Sequence, residues 1–357
     1  MGLLDLLGLS RMPEGVEGAT LVAGNAETLG TAALFLNALQ SRFGKVALGV
    51  VGVAPVAGSR PMVPIPDGQA KAAALLGKIR PFRLIMLGLE GRHAHMVASA
   101  GCPVYWVNVA DWEAAQSDCK VLMVADPQLQ QTVPDSVLTG DPLLHLPELP
   151  QLMDNAAICE RFKEQREGNR WIGYFAATGE GEEEEAYPIF NRLIRHKMGL
   201  MILAPHDQAR CEPVYRESIK YQLQTIRHNR LSTSFVPIKT RVYYVEEPEP
   251  LAGLYNCVDF VVAGGTIHPH AHHLPDLIAP ILNGKAVIIG PAQREIPLVR
   301  AAVAAKVVLA AANSEEIFEH ARYLLENPAE GARLAGHALP WLKAQVGSLE
   351  RVLALIE

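Results

Sequence analysis

The sequence predicts an α/β protein of two doubly wound domains, each a parallel sheet covered by helices on both faces, facing one another across a cleft. Three observations predict it. At 357 residues the chain exceeds the ~100–200 residues usual for one domain. Near-continuous runs of Val, Ile, Leu and Ala recur along it with helical patterns between them, the mark of strands buried on both faces. Two such series are separated by "TGDPLLHLPELPQLMD" (139–154), a Pro-rich stretch without strand pattern that reads as the interdomain connection.

In the first series the strands are "ATLVAG" (19–24), "KVALGVVGV" (45–53), "FRLIMLG" (82–88), "PVYWVNVA" (103–110) and "KVLMVAD" (120–126). Between the first two, "AETLGTAALFLNALQSRFG" carries apolar residues at helical spacing and stops at Gly44. The second series is "WIGYFAAT" (171–178), "GLMILAP" (199–205), "RVYYVEE" (241–247), "CVDFVVAGG" (257–265), "KAVIIGP" (285–291) and "KVVLAA" (306–311). The closing "GSLERVLALIE" is an amphipathic helix. The expected domains are 1–150 and 151–335, with 336–357 crossing back to the first.

Bulk properties restrict the function classes. A formal net charge of −6 and a pI near 6.1 argue against sequence-independent nucleic-acid binding, which needs a cationic face. The five cysteines (Cys102, Cys119, Cys159, Cys211, Cys257) form no C-x-x-C pair. That pattern is expected of reduced thiols in a cytoplasmic protein, with neither a disulfide framework nor a zinc motif. No run approaches the ~18–20 apolar residues of a membrane span. The start, "MGLLDLLGLSRM", lacks the basic region of a secretory signal, and Leu6 breaks the myristoylation pattern. Its leucines are expected to pack on the first domain or to lie against a bilayer or partner.

Open α/β sheets bind ligands beyond the carboxyl ends of their strands, so the loops there carry the candidate chemistry. "AGNAETLG" (23–30) offers Glu27, read either as a carboxylate complementing the helix dipole or as a general base. "MLGLEGRHAHM" (86–96) presents Glu90, Arg92, His93 and His95, either a solvated loop or a second acid/base group. "TGEGEEEEAYPIF" (178–190) reads as a solvated helix start, where a phosphate could approach only the backbone N–H groups of Gly179 and Gly181. "LAPHDQARC" offers His206, Asp207 and Arg210, and "RHNRLSTS" offers Arg227, Arg230 and Ser232, all candidates for clamping an anion.

"VVAGGTIHPHAHHLPDL" (261–277) packs His268, His270, His272 and His273 behind Gly264 and Gly265. A zinc site needs converging ligands, whereas Pro269 and Pro275 stiffen a loop whose imidazoles should fan out. The glycine pair followed by a helix opening near Pro275–Asp276 is better suited to close backbone approach by a ligand. No metal is expected.

The ordered set of loops resembles the 3-deoxy-D-manno-octulosonic acid (Kdo) transferases, a family with the two-domain GT-B glycosyltransferase fold. "WIGYFAATGEGEEEEA" resembles the family's W-[IV]-A-A-S-T-H-E-G-E-E-E, and "LYNCVDFVVAGGTIHP" resembles L-Y-x-x-A-D-V-A-F-V-G-G-S-L-V-P. "NGKAVIIGP" and "GSLERVLALIE" resemble its G-K-P-V-x-x-G-P stretch and closing helix. "AGNAETLG" falls where the family has H-A-x-S-V-G-E, which places Glu27 on its general base, and "LEGRH" falls on T-E-L-W-P, which places Glu90 on its second important glutamate. The resemblance implies transfer of Kdo from CMP-Kdo to a lipid A-type acceptor in lipopolysaccharide synthesis, without cofactor. It also implies a cytoplasmic location that leaves peripheral contact with the inner membrane open. The implied donor contacts are Thr178, Gly181, Arg210, Arg230, Ser232, Gly264, Gly265, Thr266, His273 and Asp276.

Departures cluster at donor recognition. His206 replaces the first arginine of P-R-H-P-E-R, "EEPEPLAG" with Pro250 replaces G-D-T-M-G-E-L, and the histidine loop is longer than G-G-H-N-P-L-E-P. The expected mechanism is inverting: Glu27 deprotonates an acceptor hydroxyl, while the amides around Gly264, Gly265 and Thr266, with Arg210 or Arg230, hold the departing phosphate. Two alternatives stay open: the same scaffold with another nucleotide sugar, and a non-catalytic relative that binds a nucleotide sugar or a partner. A nicotinamide dehydrogenase is disfavoured, because no G-x-G-x-x-G follows the first strand of either half.

Overall fold

The computed structural model describes residues 13–52, 59–112, 116, 118–146, 148–151, 156–231, 234–246 and 249–357. The Leu-rich start and Ser232 lie outside them, as do parts of the connection and of "EEPEPLAG". The chain divides into two compact units. One runs to Glu148 and takes back Lys343–Glu357, and the other is Leu149–Leu342.

The strands of the first unit are β1 (Thr20–Asn25), β2 (Val46–Val51), β3 (Met62–Ile65), β4 (Arg83–Leu87), β5 (Val104–Val107), β6 (Val121–Val124) and β7 (Val137–Leu138). They form one sheet in the order β3-β2-β1-β4-β5-β6-β7, and every pairing is parallel. The second unit holds β8 (Trp171–Thr178), β9 (Gly199–Pro205), β10 (Thr225–Arg227), β11 (Val242–Tyr244), β12 (Phe260–Ala263), β13 (Ala286–Ile289) and β14 (Leu309–Ala310). Its order is β10-β11-β9-β8-β12-β13-β14, again all parallel. Both units are therefore doubly wound and Rossmann-like, the expected fold class.

Burial explains the apolar runs. Alternate residues of β1, such as Leu21 and Val22, enter different cores, one on each face of the sheet. In β8, Phe175 and Ile172 divide between two cores in the same way. The order in which strands are added reverses between β1 and β4 and between β8 and β12, and these two switch points are where the crossover helices leave a crevice.

Three strands escape the sequence reading: β3, β7 and β10. Each is two to four residues long and lies on or near a sheet edge, too short for an apolar run, and β3 carries Pro64. The helix expected over 26–44 is two helices, Ala26–Thr31 and Ala33–Phe43, with Gly44 closing the second at φ 78°. The closing helix Ser348–Leu355 packs on the first unit, where Val352 and Ile356 are fully buried in the core beside β1, worth ~1.5–3 kcal/mol each. Arg351 and Ser348 fasten it to the carbonyls of Thr139 and Asp141.

The cysteines correct an expectation. Cys159 and Cys257 form a disulfide, joining the helix Ala156–Cys159 to the 3-10 turn Glu249–Cys257, while Cys102, Cys119 and Cys211 are free thiols. The pair lies 98 residues apart in sequence with Cα atoms 5.1 Å apart, so only the fold brings it together.

Candidate functional site

The first switch point shapes a cavity of about 600 Å³, lined among others by Asn25 after β1, by Asp67, and by Glu90, Arg92, His93 and His95 after β4. Loop geometry is fixed from below. Trp106 Nε1 donates to the Leu89 carbonyl at 3.2 Å, and the Asp111 carboxylate accepts from the Gly91 amide at 2.6 Å. Glu90 is exposed and ion-paired with Arg92 at 2.9 Å. His93 and His95 each aim Nδ1 at a backbone carbonyl, of Glu90 (3.1 Å) and Arg92 (3.0 Å). A carbonyl only accepts, so Nδ1 carries the proton and Nε2 is left as the basic nitrogen. Glu27 is exposed in the first turn of Ala26–Thr31, whose start Asn25 caps by accepting from the Thr28 amide at 2.7 Å. It is not among the residues lining the cavity, so the structure gathers Glu90 with two imidazoles there and leaves Glu27 on the helix that follows the lining residue Asn25.

The second switch point is held by a buried carboxylate. Glu182 is fully buried, and its Oε2 accepts from the amides of Gly179 (2.6 Å) and Gly265 (2.8 Å). Its Oε1 accepts from Ile267 (2.7 Å) and His268 (3.3 Å). One side chain thus stitches the loop after β8 to the loop after β12. This corrects two expectations. The start of the helix Glu182–His196 is not wholly solvated, because Glu182 and Glu183 are both buried. The Gly264 and Gly265 amides do not face a phosphate: the first donates to the Ala176 carbonyl at 2.8 Å and the second to Glu182. Gly264 is needed for packing, since a Cβ there would sit 2.0 Å from the Ala177 carbonyl oxygen.

Glu183 organises the next layer. Thr178 Oγ1 donates to its Oε1, and Arg210 Nη2 to its Oε2, both at 2.8 Å, while Arg210 Nη1 donates to the Thr178 carbonyl at 3.1 Å. A bulge between Phe175 and Thr178, with Ala177 at φ 53°, turns these groups into the loop. Thr266 is internal as well: its hydroxyl donates to the Ala263 carbonyl and accepts from the Gly290 amide. Gly181, at φ 82°, is the left-handed residue from which the helix departs.

The histidines pair instead of fanning out. His273 stacks on His206 with centroids 4.0 Å apart and planes 10° from parallel, and His268 meets His270 edge-on at 4.7 Å. Burial, and next the neighbouring His206, hold the His273 imidazole below its ordinary pKa. Among the described residues no group of three or more His, Cys, Asp or Glu is placed to hold a metal. Gln293, which the sequence reading did not single out, pins this loop by donating to the carbonyls of Gly265, Ala271 (2.8 Å) and His273 (2.9 Å). No local pattern signals it. Asp276 caps the helix Ile278–Leu282 by accepting from the amides of Ile278 and Ala279. Arg230 is exposed after β10, which two strands separate from β8, and so stands apart from this cluster. Its neighbour Arg227 is buried against Glu246 and Glu212.

No protein-family model matches the chain, and no curated protein matches it in sequence. Among solved structures it is similar to the C-terminal CMP-Kdo-binding domain of WaaA from Acinetobacter baumannii, at 18% identity over 53% of this chain and 96% of that one (TM-score 0.47). It is also similar to the Thermobaculum terrenum O-GlcNAc transferase, at 14% identity over 97% of this chain and 67% of that one (TM-score 0.39). A UDP-N-acetylglucosamine 2-epimerase from Listeria monocytogenes aligns at 11% identity over 95% of both chains (TM-score 0.36). Among the described residues no helix is long and apolar enough to cross a membrane.

Proposed function

We propose that the protein is an inverting, nucleotide-sugar-dependent glycosyltransferase of the GT-B type, and that it moves Kdo from CMP-Kdo onto a lipid A-type acceptor. The observation that carries this reading is the knot at the second switch point. Thr178, Gly179, Glu182 and Glu183, all inside the stretch that resembles the Kdo transferase motif, are bonded to one another or to Gly265, Ile267 and Arg210. Burying two carboxylates is costly unless they are paired and hydrogen-bonded, and the bonds that offset this cost fix the shape of the loops. The CMP-Kdo-binding domain of WaaA lies among the similar structures and agrees with this reading.

The acceptor oxygen attacks the anomeric carbon of the donor, the bond from that carbon to the nucleotide phosphate breaks, and configuration inverts. Glu27 takes the hydroxyl proton. The leaving phosphate meets the Arg210 guanidinium and the His206–His273 pair, since the Gly264 and Gly265 amides are already engaged. The helix beginning at Glu182 supplies the positive end of its dipole.

A second reading keeps the scaffold and changes the donor. His206 and Pro250, where the resembling family has arginine and glutamate, favour it. A thermal-shift panel separates the two: CMP-Kdo should raise the melting temperature saturably, and more than CMP or UDP-sugars do. A larger rise with a UDP-sugar would remove Kdo from the proposal, and donor binding without any turnover would point to a non-catalytic relative.

A further inference from the structure

The opposite end of the first sheet holds a charge that the reaction does not use. Arg83 opens β4 and is 6% exposed. Its guanidinium carbon lies 3.8 Å from the centre of the Phe43 ring and 5.0 Å from that of Phe82. Aromatic faces attract a cation but accept no conventional N–H bond, and among the described residues neither Nε nor Nη1 of Arg83 has a hydrogen-bond partner. Among the described residues no ion pair compensates the charge either; Tyr105 acts to favour it, and Arg42 nearby acts against it as a charge of like sign. Burial accordingly pulls the guanidinium below its ordinary pKa. Around it opens a cavity of about 270 Å³, lined by Gly18, Thr20, Phe43, Lys45, Phe82 and Arg83.

We infer that this cavity is a binding site for a phosphate group, with the Arg83 fork as its principal ligand and Lys45 as the second cation. A buried, unpaired guanidinium is the costliest group a small domain can leave uncompensated, and a tetrahedral oxyanion matches its planar fork with paired N–H bonds. The volume is below the ~300–1,000 Å³ of pockets that take drug-sized ligands, so inorganic phosphate or a phosphomonoester fits and a nucleotide sugar does not. Phe82, 68% exposed, is the wall an entering ligand displaces to reach Nε and Nη1. The site sits at the amino ends of β1, β2 and β4, the edge opposite the switch-point loops, and is independent of the proposed transfer reaction.

The test is a titration of the full chain with inorganic phosphate at constant ionic strength, read by calorimetry and by melting temperature. Saturable binding is expected, with a rise of a few degrees at about 100 times Kd. Arg83→Met should abolish binding while melting no lower than the parent without phosphate, because it removes an uncompensated buried cation. Lys45→Glu, an exposed position that tolerates substitution, should weaken binding at least tenfold and serves if Arg83→Met does not fold. Arg210→Gln, at the proposed donor site, should leave the response intact. Glycerol phosphate and vesicles carrying phosphatidic acid over phosphatidylcholine then tell a soluble phosphomonoester from a lipid headgroup. Phosphate binding that survives both Arg83→Met and Lys45→Glu, or no saturable binding by the parent, overturns the proposal.

Discussion

Glu27 and His95 present competing nitrogen and oxygen bases on neighbouring loops, and their variants separate the roles. Glu27→Gln should lower kcat about 10²–10⁴-fold with donor affinity unchanged, measured by turnover and titration. A comparable loss in His95→Gln with little loss in Glu27→Gln would move the base to the imidazole, which lines the cavity and has Nδ1 engaged by the Arg92 carbonyl. His273 makes a pH prediction. Its pKa in the folded protein is depressed, mainly by burial, so the unfolded chain takes up the proton first as pH falls. Its contribution to stability is complete above the ~6.5 of an unperturbed imidazole and is lost as pH drops from there toward the folded value. Melting temperature should fall over that window, and less in His273→Gln. An unchanged slope in the variant would contradict the assignment.

At the element scale, Glu182 decides whether the loops after β8 and β12 form one surface. Glu182→Ala would strand amide groups of Gly179, Gly265, Ile267 and His268 that are now satisfied. Each buried, unmet donor costs ~1–3 kcal/mol, so a loss of at least ~3 kcal/mol in denaturant unfolding is expected. A loss below ~1 kcal/mol would mean that water replaces the carboxylate. The same residue shows where sequence reading ends. Central strands such as β1, β8 and β12 are legible because burial on both faces leaves a continuous apolar run. A glutamate at a helix start reads as solvated until its partners are known, and three of the four stand 83 to 86 residues further along the chain. Gly264 and Gly265 were legible as a close approach of backbone, but what approaches is the Ala177 carbonyl and the Glu182 carboxylate and not a ligand.

For the whole molecule, the two-unit layout was expected from the two series of apolar runs, and the connection near 139–154 from its prolines. The Cys159–Cys257 link was not, since pairing across 98 residues leaves no local spacing. Cys159→Ser, or reduction, should lower stability by ~2–4 kcal/mol, read as a shift in the denaturant midpoint. An unchanged midpoint would show that the cross-link does not constrain the unfolded chain. The central claim concerns chemistry, and one measurement addresses it most directly: mass analysis of products after incubating the full chain with CMP-Kdo and a lipid A precursor. The account predicts acceptor heavier by the mass of added Kdo, with one CMP released per sugar transferred. Intact CMP-Kdo alongside unmodified acceptor, in protein whose fold is verified, would contradict it.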